Sequence, residues 1–138
     1  YISHSEIMYG RALDSNHWNP DLRAVFTEQL MTDYDYNESS KLNILIAEND
    51  NGDIVGMLVF NVINSPFKKY AILEDMLLDQ AVRGQSLGSK LLEEVIRESK
   101  SWNVSFIMLE SGVDNHGAHH FFGKYGFKKV SESYMLTL

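Results

Sequence analysis

The apolar positions of this chain change their period along its length. In the first forty residues Ile7, Met8 and Leu13, then Leu22, Val25, Phe26, Leu30 and Met31, recur at helical spacing, and "NPDL" at 19–22 puts Pro20 where a first helical turn accepts it. Two short helices are expected there. "LNILIAE" at 42–48 and "DIVGMLVFNVI" at 53–63 read instead as strands, and Asn49-Asp50-Asn51-Gly52 between them predicts an antiparallel hairpin whose Asn-Gly pair favours a type I′ turn. After a break at Asn64-Ser65-Pro66, "YAILEDMLLD" at 70–79 predicts a third strand.

Helical period then returns. From near Gln85 to near Trp102, Leu87, Leu91, Leu92, Val95 and Ile96 fall on one face, while Lys90, Glu93, Glu94, Arg97 and Glu98 face water. "VSFIMLES" at 104–111 has the continuous apolar centre of a strand covered on both sides, so it is expected to pair in parallel with the strand at 70–79. A strand–helix–strand unit results, with its turn at the carboxyl end of the first strand. A shorter helix is predicted from Asn115 to Tyr125, stopping at Gly126, and 127–138 is expected to supply closing strands.

Length and composition narrow the class. The 138 residues match one domain, read here as a helical region over 1–42 and a sheet-bearing core over 43–138. Apolar residues make up 44% and charged residues 22%, as in globular proteins, and no apolar run approaches the roughly 20 residues of a membrane span. No signal peptide is visible, and the chain opens at Tyr1 rather than methionine, which leaves room for a segment ahead of it. Nineteen acids against twelve bases give a net charge of −7, which argues against a nucleic-acid partner and suits a cationic small molecule. With no cysteine, disulfides and thiolate nucleophiles are excluded, and a reducing, cytoplasmic setting is the expectation.

The candidate chemistry lies in "AVRGQSLGSKLL" at 81–92. A helix N-terminus exposes unpaired N–H groups and partial positive charge, glycines allow close approach, and Arg83 adds a forked cationic donor, so a pyrophosphate is the natural guest. Spacing excludes two phosphate turns: Gly84 and Gly88 have three residues between them where a P-loop needs four, Ser89-Lys90 stand in the wrong order, and G-x-G-x-x-G is absent.

The turn resembles that of the GNAT superfamily of N-acetyltransferases, often written R-G-x-G-I-G-x-x-L-L. Arg83, Gly84, Gly88, Leu91 and Leu92 are in register, Leu87 takes the Ile position, and Ser86 replaces the central glycine. "LEDMLLDQAVRG" at 73–84 resembles the family's approach strand, and Asn115 to Phe127 is similar to its N-x-x-A-x-x-F-Y-x-x-x-G-F segment. The element order agrees as well, and the resemblance covers about 43 to 138. It implies an α/β (α+β) GNAT fold: a mixed, mostly antiparallel sheet with a β-α-β acetyl-CoA-binding core, flanked by helices.

The same resemblance implies an activity and a set of site residues. Acetyl-CoA would lie between the strands at 70–79 and 104–111, its pantetheine arm paired with the backbone of Met76, Leu77 and Leu78. Its pyrophosphate would rest on Arg83, Gly84, Gln85, Ser86, Leu87, Gly88 and Ser89, with Asn115 and Phe122 as further contacts. The acceptor would be a primary amine, most simply a small cationic one of polyamine, aminoglycoside or amino-sugar type. An alkylammonium of pKa near 10 needs a base before it can attack. Glu74 is the expected base; on a regular strand Asp75 points to the opposite face, so at most one of the two would face the substrate directly. The family's acid tyrosine corresponds to Phe122, which cannot donate, so Tyr125, one turn on, is the substitute considered, with His119 and His120 behind it.

Other features read more plainly. His116 and His120 are four apart but lack a third ligand at obvious spacing, so no metal is expected. Asp33-Tyr34-Asp35-Tyr36 falls in the region that shapes the family's acceptor pocket and reads as a solvated loop. Two alternatives stay open: a non-catalytic acyl-CoA-binding regulatory domain, and a protein acetyltransferase acting on lysines or N-termini. No nucleic-acid or membrane partner is expected, and a homodimer is left open.

Overall fold

The computed structural model describes residues 40–134 together with Leu136 and Leu138. The two helices expected in the first forty residues, and the Asp33–Tyr36 patch, lie outside the described residues. Strands β1 (Ser40–Glu48), β2 (Ile54–Asn64) and β3 (Lys69–Leu78) lead through a 3-10 turn at Gln80–Val82 into helix α1 (Leu87–Ser101); β4 (Ile107–Leu109) and helix α2 (His116–Lys124) follow. The sheet order is β1-β2-β3-β4, antiparallel except that β4 lies parallel to β3.

The hairpin forms where expected, with a different turn. Gly52 N–H donates to the Asn49 carbonyl at 2.9 Å, and the Asn49 side-chain oxygen accepts from the N–H groups of Asn51 and Asp53, each at 2.9 Å. Only Gly52, at φ +83°, takes a positive φ; Asn51 does not, which rules out type I′. The side chain of Asn49 organises five residues between the strands, so the longer loop replaces the two-residue one.

Alternation along β2 sends Leu58, Phe60 and Val62 to one face, where they meet Ala71 and Leu73 of β3 and Leu91, Leu92 and Val95 of α1 in a buried cluster. This is the core. Phe60 stacks on Trp102 at the end of α1 with ring centroids 6.0 Å apart, and Phe121, Phe122, Tyr125 and Phe127 extend the cluster from α2 and the residue beyond its turn. Burying a side chain such as Leu92, fully enclosed here, contributes about 1.5–3 kcal/mol, so this one face fixes how α1 lies on the sheet.

Two expectations need correction. The strand expected over 104–111 is limited to Ile107–Leu109, and residues 127–134 form neither strand nor helix. In the latter segment Val130 and Tyr134 stand 81% and 90% exposed, so the apolar face that would have supplied ladder partners is not packed. Lys129 instead pairs with Glu132 at 2.6 Å, and Tyr134 donates to the same carboxylate at 2.8 Å, both local contacts.

Candidate active site

The ladder between β2 and β3 slips by one residue at the centre of the sheet. Phe60 pairs with Leu73 and Val59 with Asp75, which leaves Glu74 as the extra residue of a β-bulge. Side-chain parity along β3 therefore reverses: Ala71 and Leu73 face α1 before the bulge, and Met76 and Leu78 face it afterwards. Asp75, opposite Val59, is turned to the face away from α1, and Glu74 is on that face too, where its Oε1 accepts from Asn61 Nδ2 at 3.4 Å. The expectation that a regular strand would send the two acids to opposite faces is thus overturned. The bulge brings both carboxylates to one side, Asp75 only 4% exposed.

The parallel strands part at the same place. β4 pairs with β3 only at Ala71, Ile72 and Leu73, so the β3–β4 ladder ends there and the two strands part beyond it. Met76, Leu77 and Leu78 lie on the β3 edge past that point. Their backbone groups are the ones an extended ligand arm can pair with.

At the end of that edge the chain turns into α1. Gly84 takes φ +82° and Ser86 takes φ +61°, both in the left-handed region, and the Ser86 side chain makes no cap to the helix. The N–H groups of Leu87, Gly88 and Ser89 begin the first turn without intrahelical partners, and Lys90 N–H is the first to reach back, to the Ser86 carbonyl at 3.1 Å. A row of donors with the positive end of the helix dipole behind it suits a phosphate. Arg83 is exposed beside the turn, its Nε and Nη2 each 3.4 Å from the Leu78 carbonyl, and Gln85 Nε2 donates to the Ala81 carbonyl at 3.3 Å.

Gly88 explains how α1 comes so near β3. A Cβ at this buried position would stand 3.0 Å from Met76 Cε and 3.2 Å from Leu78 Cδ1. Asn115 caps α2 by accepting from Ala118 N–H at 3.3 Å, and Phe122 packs edge-on against both Phe121 and Phe127 at 5.2 and 5.6 Å. Tyr125 donates its hydroxyl to Glu93 Oε1 at 3.2 Å, a residue on the solvent side of α1. The rings of His116 and His119 meet edge to face at 6.0 Å, and no group of three or more potential metal ligands occurs among the described residues.

Two side chains escaped the sequence reading. Asn61 Oδ1 and Ser111 Oγ are buried with no hydrogen-bond partner among the described residues, the first beside Glu74 and the second just past the end of β4. Asn61 is the one polar residue inside the run "GMLVFNVI", and that interruption was the available signal.

The sequence model of the acetyltransferase (GNAT) family matches residues 13–127, and the chain belongs to that family. No curated protein matches it. Solved structures share the fold. A Bacillus halodurans protein solved in mutant form superposes with a TM-score of 0.76 at 20% identity, covering 98% of this chain and 86% of that one. A transcriptional regulator from Bacillus halodurans C-125 gives 0.72 at 22% identity, over 98% and 88% of the two chains. Ribosomal-protein-alanine N-acetyltransferase from Brucella melitensis gives 0.67 at 15%, over 98% and 93%. The four-stranded mixed sheet with its helices is accordingly a GNAT α/β fold, and the family supports acetyl transfer.

Proposed function

We propose that the protein transfers the acetyl group of acetyl-CoA to a primary amine, with Glu74 as the base. The observation that carries this reading is the bulge, which turns Glu74 and Asp75 to one face where β3 and β4 part. Acetyl-CoA supplies the activated thioester. The chain has the groups to hold it: the β3 edge at Met76, Leu77 and Leu78, the uncapped N–H groups of Leu87, Gly88 and Ser89, and the Arg83 guanidinium, which now bonds the Leu78 carbonyl. Asn115, the cap of α2, and Phe122, in its aromatic cluster, would be further contacts, as the family resemblance implies.

An ammonium arriving beside Glu74 gives it one proton. The neutral nitrogen adds to the thioester carbonyl, the carbon–sulfur bond breaks with its electron pair on sulfur, and the second proton released by nitrogen passes through water to the thiolate. A thiolate of pKa about 8.5 leaves without an obligatory acid. This fits Tyr125, whose hydroxyl is engaged by Glu93 and would have to leave it to serve. Two adjacent carboxylates and the charge of −7 support a cationic acceptor over a neutral or anionic one. The cysteine-free composition supports a cytoplasmic location. Thiol release from acetyl-CoA over a panel of amines, with the wild type and Glu74→Gln, tests the assignment.

A further inference from the structure

On the reading that Glu74 is the base, we infer that Asn61 is a second ligand of the acceptor nitrogen and the residue that selects primary amines. Asn61 lies on β2 opposite Ile72, on the sheet face away from α1, one strand over from the bulge. Its Nδ2 is the atom turned toward the Glu74 carboxylate, at 3.4 Å from Oε1. That orientation is the one chemistry requires, since the reverse would set two acceptors against each other. It leaves Oδ1, the other branch of the amide, buried and without a donor among the described residues.

A buried carbonyl oxygen with no donor is unfavourable in the free protein and calls for an explanation. Its surroundings offer one. A neutral primary amine has two N–H bonds and one lone pair. Glu74 and Asn61 Oδ1 are adjacent acceptors, so one can take each N–H and the lone pair is then directed away from both. An N-methyl amine, once neutral, has a single N–H and leaves one buried acceptor unmet, which is the kind of mismatch that discriminates strongly. The face around them is apolar: Ile44 pairs with Val59 and Leu42 with Asn61 across the neighbouring strand. With Asp75 beside them, Glu74 and Asn61 form the polar centre of a face whose other neighbours are hydrocarbon, which favours an alkylamine body over a polyhydroxylated one.

The test compares wild type, Asn61→Leu and Asn61→Asp by thiol release from acetyl-CoA, using primary alkylamines and diamines beside their N-methyl counterparts, with melting temperatures measured in parallel. Leucine shares the branched skeleton of asparagine and removes the orphaned oxygen, while its bulkier methyls cost some packing, so Asn61→Leu should melt close to wild type. Its kcat/KM for primary amines should fall 10- to 100-fold, its KM for acetyl-CoA should stay within twofold, and the preference for primary over N-methyl amines should shrink to less than a third of the wild-type value. Asn61→Asp keeps an acceptor and should retain more of that preference than Asn61→Leu. An active wild type with Asn61→Leu unchanged in kcat/KM and preference would overturn the inference and leave Glu74 as base. Equal losses toward both substrates with a lowered melting temperature would overturn it too, in favour of a structural role. A wild type that releases no thiol with any amine would overturn the underlying reading as well.

Discussion

Ser86 stands at φ +61°, ψ +12°, a left-handed conformation that a residue with a Cβ adopts at a cost of about 1–2 kcal/mol. Its side chain makes no cap hydrogen bond, so nothing local offsets that strain. Replacing it by glycine removes the strain but adds about 0.5–1 kcal/mol of backbone entropy to be lost on folding. The net expectation is a gain of about 0.5–1 kcal/mol. At ~4 °C per kcal/mol for a domain of this size, Ser86→Gly should raise the melting temperature by about 2–4 °C. Ser86→Ala is the control: it keeps the strain and loses no cap, so it should stay within about 0.5 kcal/mol of wild type. Thermal melts by circular dichroism suffice. Since glycine retains the N–H, acetyl-CoA binding should be at least as tight. A melting temperature for Ser86→Gly below that of Ser86→Ala would refute the argument, because it would mean the left-handed geometry is not what limits this turn.

Three further outcomes follow from the same geometry. Gly88→Val would push branched methyls into Met76 and Leu78 and lower stability by about 1–3 kcal/mol; it should also weaken acetyl-CoA binding, and calorimetry showing neither would contradict the close approach of α1 to β3. Arg83→Ala removes one charge-assisted contact, worth about 1.5–3 kcal/mol, so the acetyl-CoA Kd should rise roughly 10- to 100-fold in a binding titration. Tyr125→Phe loses only an exposed bond to Glu93, so turnover should stay within about threefold of wild type; a loss of about 10²-fold or more would make Tyr125 the general acid after all.

The first three strands and the long helix of the core were legible because their apolar periods are long. Leu87 to Ser101 presents Leu91, Leu92 and Val95 to a sheet face whose β2 half already alternates as Leu58, Phe60 and Val62. The bulge was not legible. "LEDM" contains no glycine or proline, and only the register against β2 reveals that Glu74 is the additional residue. The placement of Asp75 depended on it. The hairpin turn was misread for a related reason: Asn49 bonds two N–H groups with its own side chain, a competition that a two-residue Asn-Gly pattern does not display. Over 127–134 the expected closing strand did not form because apolar residues such as Val130 and Tyr134 record a capacity to pair, and pairing needs a partner surface that a sequence pattern does not specify. At the site, the glycine turn and helix start from Arg83 to Ser89 were readable because such turns are local in sequence. The contact of Asn61 with Glu74 was not, since it joins residues on two strands.

The most direct test of acetyl transfer based on Glu74 is thiol release from acetyl-CoA, followed against pH, for the wild type and Glu74→Gln with the best amine of the panel. The wild type should turn over at neutral pH. Glu74→Gln should be slower by about 10²–10⁴-fold there, with a rate that climbs close to tenfold per pH unit toward the pKa of the amine near 10, as free amine from solution replaces the missing base. Equal rates and parallel pH profiles for the two proteins would contradict the assignment of Glu74, and no thiol release by the wild type with any amine would contradict acetyl transfer to amines itself.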